Sequence, residues 1–324
     1  MRKQGFLLSL VAIFVVFASP GVVLAQKWPE KPVRLVIAFA PGGVHDTLAR
    51  LLQPRLAESL GQPLLLENRG GAGGNVAAEA VVRSASDGYT FLIASEAMAT
   101  NEALYGKLNY DPQRDLAPVA IMARFPLALV VNTALAANTA AELIALAHAK
   151  PGALSFASAG IGASGHLAGE MFKSITAIDA VHVPYKGGAP AMNDLVAGRI
   201  HFMFLSVSLS APQVQQGKLR ALAVVNSSRN ALMPLVPTIA EAGIAGFDAL
   251  LFSGMLAPAG TSAPIINRMS EELGRAVRAP ETQKRLGEIG AVPQPSTPAE
   301  FTATLARERE RWGKLIREKG IRAE

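Results

Sequence analysis

Two glycine-rich turns, one in each half of the chain, constrain the fold more than any other feature of the sequence. The first is the run AFAPGGVHD at residues 38–46, and the second is ASAGIGASGHL at residues 157–167. Each turn follows a predicted strand and precedes a predicted helix. Backbone N–H groups in the first turn of a helix lack an intrahelical acceptor and carry partial positive charge, so such turns bind anions without a basic side chain. The sequence therefore predicts a receptor with two lobes that hold a small anion between them.

The order of apolar segments predicts an α/β fold with a discontinuous first lobe. Strand candidates alternate with helix candidates along the chain, a pattern typical of parallel sheets flanked by helices, so each lobe is expected to contain a mainly parallel sheet. About 300 residues exceed what one compact core usually holds. We expect the chain to cross between lobes near residues 124–126 and 226–229. Residues 26–126 and 228–324 would then form the first lobe and residues 127–227 the second, with the two crossings acting as a hinge.

The first 25 residues have the pattern of a secretory signal peptide. Arg2 and Lys3 precede an apolar run at residues 6–17, and Ala25 is the small residue before the expected cleavage site. The alternative, a membrane anchor, is disfavoured because this run is shorter than the roughly 20 residues that span a bilayer. The chain contains no cysteine, which excludes disulfides, thiol chemistry and a lipid-attachment cysteine. We therefore expect a soluble protein exported to a bacterial periplasm.

The charge distribution argues against nucleic acid as a partner. The formal net charge is +6, and removal of residues 1–25 lowers it by two. Much of the remaining excess lies in the last predicted helix, where basic residues alternate with glutamates. A nucleic-acid surface concentrates one sign of charge and interleaves aromatic residues. The pattern is instead typical of a solvated helix face.

The second turn also matches the dinucleotide-binding pattern G-x-G-x-x-G at residues 160–165. That motif requires an acidic residue about 20 positions further on, at the end of the next strand. Asp179 precedes the predicted strand at residues 180–184 instead of following it. An exported protein also has little access to a cytosolic cofactor. An anion-binding turn without a cofactor is therefore favoured.

Hydrolase and metal sites are disfavoured on sequence grounds. A hydrolase would use Ser164 or Ser158 as nucleophile, His166 as base and an orienting aspartate such as Asp194. However, Ser164 lies in G-A-S-G-H and not in the G-x-S-x-G elbow. Metal binding is disfavoured because no two of the five histidines have a recognised ligand spacing; these are His45, His148, His166, His182 and His201. We expect no catalytic residue, no metal and no cofactor.

A third glycine cluster lies at residues 70–75 and precedes a predicted helix. It lacks the Lys-Ser/Thr pair that follows the glycines of a phosphate-binding Walker loop. The cluster either forms a tight connection that requires positive φ or also contacts the ligand. Both interpretations remain open at this point.

Several motifs together resemble the Bug family, the extracytoplasmic substrate-binding receptors of tripartite tricarboxylate transporters. Besides PGGVHD in the first turn, the chain contains ENRGGAGGN, DGYT, YDP, HVPYKGGAPAMNDL, KLRALAV, VPTIAEAG and LAPAGTSAP in this order. The resemblance covers essentially the whole chain after residue 25. It implies a two-lobed periplasmic binding protein of type II (Venus-flytrap) and a small organic carboxylate as ligand. The implied partners are membrane transporter subunits or, alternatively, a sensor protein, and the receptor is expected to be a monomer.

The resemblance also implies which residues contact the ligand. The two turns and a third segment supply them, mainly through backbone groups: Pro41, Gly42, Gly43, Val44, His45, Asp46; Ala159, Gly160, Gly162, Ala163, Ser164, His166; Tyr185, Lys186, Gly187; and Leu205 at the end of a strand.

The chain departs from the family pattern in ways that bear on the ligand. Val44 and His45 stand where a small residue and a hydroxyl residue are usual, and Ala163 replaces a small hydroxyl residue. Leu205 stands where an aspartate is common, so an acidic partner for a ligand ammonium is absent from that strand. An amino-acid ligand is put in doubt, because a buried ammonium without a carboxylate is costly. We expect a carboxylate with an apolar or aromatic body, or an oxo- or hydroxy-acid, whose distal end bonds His45; the alternative is that His45 faces solvent.

Overall fold

The structure is a computed structural model that describes residues 28–249 and 251–323. The predicted signal peptide, residues 1–25, lies outside the described residues. Two separate sheets, each flanked by helices, confirm the two-lobed α/β fold. No helix within the described ranges is long and apolar enough to cross a membrane.

The first sheet contains six strands, namely β1 (Val33–Ile37), β2 (Leu64–Asn68), β3 (Thr90–Ala94), β4 (Leu116–Arg124), β10 (Phe252–Pro258) and β11 (Val292–Pro293). Their order across the sheet is β11-β4-β10-β3-β1-β2. A short 3-10 helix, Ala72–Gly74, occupies the third glycine cluster, where Gly71, Gly73 and Gly74 all have positive φ. The remaining helices that follow these strands are α1 (Val44–Leu60), α2 (Asn75–Val82), α3 (Ala97–Tyr105), α8 (Ala263–Arg278), α9 (Pro280–Glu288) and α10 (Pro298–Lys319).

The second sheet contains five strands, namely β5 (Leu127–Asn132), β6 (Leu154–Ser158), β7 (Ala180–Pro184), β8 (Phe202–Ser206) and β9 (Leu219–Val225). Their order is β7-β6-β8-β5-β9. The helices that pack on this sheet are α4 (Ala140–Ala149), α5 (Ser164–Thr176), α6 (Gly188–Val196) and α7 (Val207–Gln215).

The expectation that each sheet is mainly parallel is wrong. In the first sheet only β1 pairs in parallel fashion, with β2 and β3, whereas β10 and β11 form antiparallel pairs. In the second sheet β6 is parallel to its neighbours, but β5 is antiparallel to both β8 and β9. The reason is the path of the chain between lobes. β4 leaves the first lobe and β10 returns to it through the same boundary, so these adjacent strands run in opposite directions.

The contacts of residues 226–249 favour a later return crossing than the sequence predicts. Thr238 bridges to Val224 at the end of β9, and the Phe247 ring stacks on Phe204 of β8 with centroids 5.2 Å apart. Leu251, by contrast, accepts a hydrogen bond from the Phe125 amide at 2.7 Å, directly beside the first crossing. We propose that the second lobe extends to about residue 249 and that both crossings lie side by side at Phe125 and Leu251.

Helix α10 packs against both lobes. Near its start, Phe301 contacts Phe252 of the first sheet edge-on, with centroids 5.7 Å apart. Near its end, Trp312 and Ile316 belong to the apolar core of the second lobe. The helix begins with a complete capping box formed by Thr297 and Glu300, as its sequence predicts. A single helix of 22 residues therefore connects the two cores in addition to the crossing strands.

Candidate ligand-binding cleft

A cavity of about 770 Å³ lies between the two sheets. Its walls come from the segments that follow the carboxyl ends of β1 and β3 in the first lobe and of β6 in the second, together with the end of β8. Ligands in open α/β sheets bind at such strand ends. The volume falls within the range of small-molecule sites, roughly 300–1,000 Å³. Most of the side chains that line it are apolar, including Phe39, Leu104, Ile161, Leu205 and Leu209.

The first turn places its backbone at the cavity and keeps Asp46 behind it. Gly42 has φ +81°, and its N–H donates to Asp46 Oδ2 at 2.9 Å. Arg50 Nε donates to the same oxygen at 2.9 Å, and Asn68 Nδ2 donates to Oδ1 at 3.0 Å. Burial opposes ionisation, but these hydrogen bonds together hold the pKa of Asp46 below its ordinary value. Asp46 is therefore a charged group that fixes the turn, and it does not line the cavity.

The second turn is fixed in the same way by a different side chain. Gly162 has φ +76°, and its N–H donates to Nδ1 of His166 at 3.0 Å. The His166 ring stacks on His182 with centroids 3.8 Å apart, and His182 Nε2 lies 2.7 Å from Ser158 Oγ. Burial lowers the pKa of both histidines to about 4. His166 is thus a neutral ring that holds the turn through its hydrogen bond with Gly162. It does not line the cavity, although the family resemblance implies that it contacts the ligand.

Both helices present unpaired N–H groups to the cavity. Gly43 and Ala163 are the N-cap residues of α1 and α5, and neither helix has a side-chain cap. The amides of the first two residues of each helix have no acceptor among the described residues; they belong to Val44 and His45, and to Ser164 and Gly165. All four residues line the cavity. Two helix N-termini from different lobes therefore meet at one site.

His45 lies at the cavity surface and not in solvent. Its ring stacks on Phe39 with centroids 4.2 Å apart and meets Phe125 edge-on at 5.9 Å. Burial lowers its pKa to about 3, so the imidazole is neutral at physiological pH. Its Nδ1 is buried and has no hydrogen-bond partner within the part of the chain that is described. A buried polar atom of this kind is costly unless a ligand or water pairs with it.

The third predicted segment contributes less than expected. Gly187 lines the cavity, as do Pro41, Ala159, Gly160 and Leu205. Tyr185 and Lys186 do not. The Tyr185 hydroxyl points to Asp194 and donates to its Oδ2 at 2.7 Å, while Lys186 is exposed. Asp194 also pairs with Arg199 at 2.8 Å. This network supports the loop, which explains why an aromatic and a basic residue occur beside the cleft without facing it.

The residues considered for catalysis are engaged elsewhere. His166 accepts a hydrogen bond from the Gly162 amide, and Asp194 accepts hydrogen bonds from Tyr185 and Arg199. Ser164, His166 and Asp194 therefore do not form a triad. Ser158 is fully buried. Across residues 28–249 and 251–323 there is no group of three side chains arranged to hold a metal ion. The described residues of the cleft therefore do not form the hydrolase site considered from the sequence.

The segment after β3 is the part of the site that sequence reasoning missed. Glu96, Asn101 and Tyr105 all line the cavity. Glu96 is buried, and burial raises the pKa of its carboxyl to about 8. The segment contains no glycine-rich turn, so no sequence motif marks it as part of a site. Its position directly after a central strand was the available signal, since strand ends meet at the cleft.

Gly165 is required by the close approach of α5 to β8. A Cβ atom at this position would lie 2.6 Å from the carbonyl oxygen of Phe204. Gly43, the N-cap of α1, has φ −72°, and its nearest neighbour would be 3.5 Å away. We expect Gly165→Ala to lower the free energy of unfolding by about 1–3 kcal/mol through overpacking, and Gly43→Ala to have a much smaller effect. Urea denaturation of both variants checks this; equal stability of the two would contradict the steric argument.

The two lobes and the cleft between them define the class of two-lobed solute-binding proteins, and comparisons place the chain within it. The family described as "Tripartite tricarboxylate transporter family receptor" (TctC) matches residues 48–321. The chain belongs to this family. It is 34% identical to Protein BugT of Bordetella pertussis, with 98% of each chain covered. The resemblance stated from the motifs is confirmed.

Solved structures agree with this assignment. Rpa4515 of R. palustris, determined with adipate, is 36% identical to this chain and superposes with a TM-score of 0.80, covering 91% of this chain and 99% of that one. MatC of Rhodopseudomonas palustris, determined with bound malate, is 31% identical with a TM-score of 0.76, covering 89% and 100%. Both similar proteins were therefore captured with a dicarboxylate.

Proposed function

We propose that this protein is a periplasmic receptor that captures a small organic carboxylate between its lobes for the membrane subunits of a tripartite tricarboxylate transporter. Residues 1–25 direct export and are then removed, and the mature receptor is a monomer without catalytic activity. One observation carries the proposal: the unpaired N-termini of α1 and α5, from different lobes, line the same cavity. Each N-terminus favours a negative charge, so one ligand contacts both lobes.

The proposed contacts follow from this geometry. Carboxylate oxygens accept from the amides of Val44 and His45 on one side and of Ser164 and Gly165 on the other. Gly42 and Gly162 do not donate to the ligand, because their N–H groups are already bound to Asp46 and His166. The apolar wall, including Leu205 and Ile161, packs on the carbon chain of the ligand. His45 Nδ1 is free to bond a polar group at one end of it.

The ligands of the similar proteins support a dicarboxylate with an apolar chain. Adipate, found in Rpa4515, and malate, found in MatC, each carry two carboxylates. A dicarboxylate offers one negative end to each helix N-terminus. The cavity lining is mainly apolar, which suits the methylene chain of adipate better than the hydroxyl of malate. We therefore place the ligand of this receptor among aliphatic dicarboxylates or carboxylates with an apolar body.

Thermal unfolding of the mature protein tests the proposal. The panel contains adipate, malate, a monocarboxylate of similar length, and uncharged and cationic analogues. A ligand present at one hundred times its dissociation constant should raise the free energy of unfolding by about 2.7 kcal/mol. We expect carboxylates to raise the melting temperature and the analogues to leave it unchanged. Stabilisation only by the uncharged or cationic analogues would overturn the proposal.

A further inference from the structure

Glu96 is a buried carboxyl group inside the cleft, and the receptor function alone assigns it no role. It lies directly after β3 and precedes the first residue of α3. Only 7% of the residue is exposed, and it lines the cavity. The Phe252 amide donates to its Oε2 at a long 3.4 Å, and the Ser164 hydroxyl and the backbone amide of Glu96 itself also hydrogen-bond the carboxyl group. These groups donate to carboxyl oxygens, so the proton of a neutral Glu96 has no acceptor among them and is available to a ligand.

The groups that face Glu96 come from three other elements. Ser164, the first residue of α5, approaches it from the second lobe, the Phe252 amide from β10, and Glu308 from α10. The negative charge of Glu308 and the burial both disfavour a carboxylate at Glu96. Ser164 carries one of the unpaired amides at the positive end of α5. An anion held by α5 would consequently lie next to the Glu96 carboxyl.

We propose that Glu96 acts as a neutral acid in the cleft and donates its proton in a hydrogen bond to the ligand carboxylate held at the N-terminus of α5. This inference rests on the proposed function and goes further, since it assigns a specificity-determining residue and couples binding to proton uptake. A ligand ammonium is excluded from this spot, because the same helix end that attracts an anion repels a cation. Leu205 stands where an aspartate is common in the family. Glu96 supplies an acidic group at a different position, and its protonated form favours an anionic ligand group instead of a cationic one.

The cleft contains few other groups that titrate near neutral pH. Burial raises the pKa of Glu96 to about 8 and lowers that of His45 to about 3. Tyr105, which also lines the cavity, has a pKa raised by burial above its ordinary value near 10. Free carboxylates titrate near pH 4, so the ligand does not change charge above pH 6.5. Between pH 6.5 and 9.5, Glu96 is thus the group in the described cavity lining whose charge changes.

The sign of the pH effect follows directly. The complex requires the protonated form, which predominates in the free receptor below pH 8 and is depleted above it. Affinity for a carboxylate should therefore be constant from pH 6.5 to 7.5 and then fall by up to about tenfold for each further pH unit. At pH 9, binding should take up nearly one proton per ligand.

Calorimetric titration with adipate tests the inference on the wild type and on Glu96→Gln. The glutamine keeps a hydrogen-bond donor but cannot ionise, so we expect affinity at pH 6.5 within about threefold of wild type and no decline above pH 8. Titrations in buffers of different ionisation enthalpy measure proton uptake on the wild type itself, which needs no variant. Glu102→Gln is the matched control, because Glu102 lies exposed on the same helix. It should behave as wild type.

The outcomes separate this inference from the proposed function. Adipate binding without a pH dependence, or with the same pH dependence in Glu96→Gln, would overturn the role of Glu96 and leave the receptor function standing. Affinity that rises above pH 8 would show that an ionised Glu96 meets a cationic group, which also overturns it. If neither adipate nor any other carboxylate of the panel binds at any pH, the proposed function fails and this inference fails with it.

Discussion

Ala163→Asp is expected to weaken carboxylate binding by about a hundredfold or more while leaving the fold at least as stable. Ala163 is the N-cap of α5, lines the cavity and makes no side-chain cap. An aspartate there accepts from the free amides of the first turn, which normally stabilises a helix by about 1 kcal/mol. Its charge also repels the ligand: two like charges about 4 Å apart cost roughly 4 kcal/mol at an effective dielectric constant of 20. Calorimetry with adipate and thermal unfolding measure the two effects separately.

Ser262→Asp is the matched control for this variant. Ser262 is the N-cap of α8, is exposed and likewise makes no side-chain cap hydrogen bond. The new aspartate should stabilise its helix similarly without touching the cleft, so adipate affinity should remain that of wild type. If Ala163→Asp binds adipate as tightly as Ser262→Asp does, the α5 N-terminus is not the anion site.

Glu308→Ala is expected to be the most destabilising of these single substitutions, lowering the free energy of unfolding by about 3–5 kcal/mol. Glu308 is completely buried in the middle of α10. It pairs with Arg311 and accepts from Trp312 Nε1 at 2.9 Å. Burial raises its pKa, although the charge of Arg311 opposes this. Removing the carboxyl would leave the buried Trp312 donor without an acceptor and would leave Arg311 with only its ion pair to Asp248 at 3.0 Å. Urea denaturation gives the free energy directly.

Glu310→Ala tests whether this loss is specific. Glu310 is exposed on the same helix, two residues further along. Its replacement should change the free energy of unfolding by no more than about 0.5 kcal/mol. A comparable loss in both variants would mean that helix propensity, and not the buried cluster, determines the effect.

The sequence predicts the lobes and turns well because local rules determine them. The capping box of Thr297 with Glu300, and the N-cap hydrogen bond from the Glu142 amide to the Thr139 hydroxyl at the start of α4, each join residues three positions apart, and both form. The lobe boundaries stay a prediction, and the proposed first crossing lies between β4 and β5. The parallel or antiparallel sense of the strands was mispredicted, because it depends on the path between lobes. The return crossing depends likewise on tertiary contacts, such as Phe247 against Phe204.

The candidate site was only partly predictable for a similar reason. Spacing placed both turns at the cleft, yet it could not show that the third residue of each helix, Asp46 or His166, turns back to bind the glycine amide. A glycine followed four residues later by an acceptor was a usable signal in both turns. No sequence motif includes Glu96. The groups that act on its carboxyl, namely Ser164, Phe252 and Glu308, are distant in sequence.

Because α10 is attached to the cores of both lobes, the energetics of ligand exchange extend well beyond the cleft. Any relative movement of the lobes must either bend this helix or carry it with one lobe and detach its other end. Detaching the end of the helix, for example, would expose Trp312 and Ile316 to water. The burial of such a side chain contributes about 1.5–3 kcal/mol. The C-terminal helix therefore opposes relative movement of the lobes, in addition to the two crossing segments. If the lobes move when ligand binds, the free energy of binding includes the cost of deforming or detaching this helix.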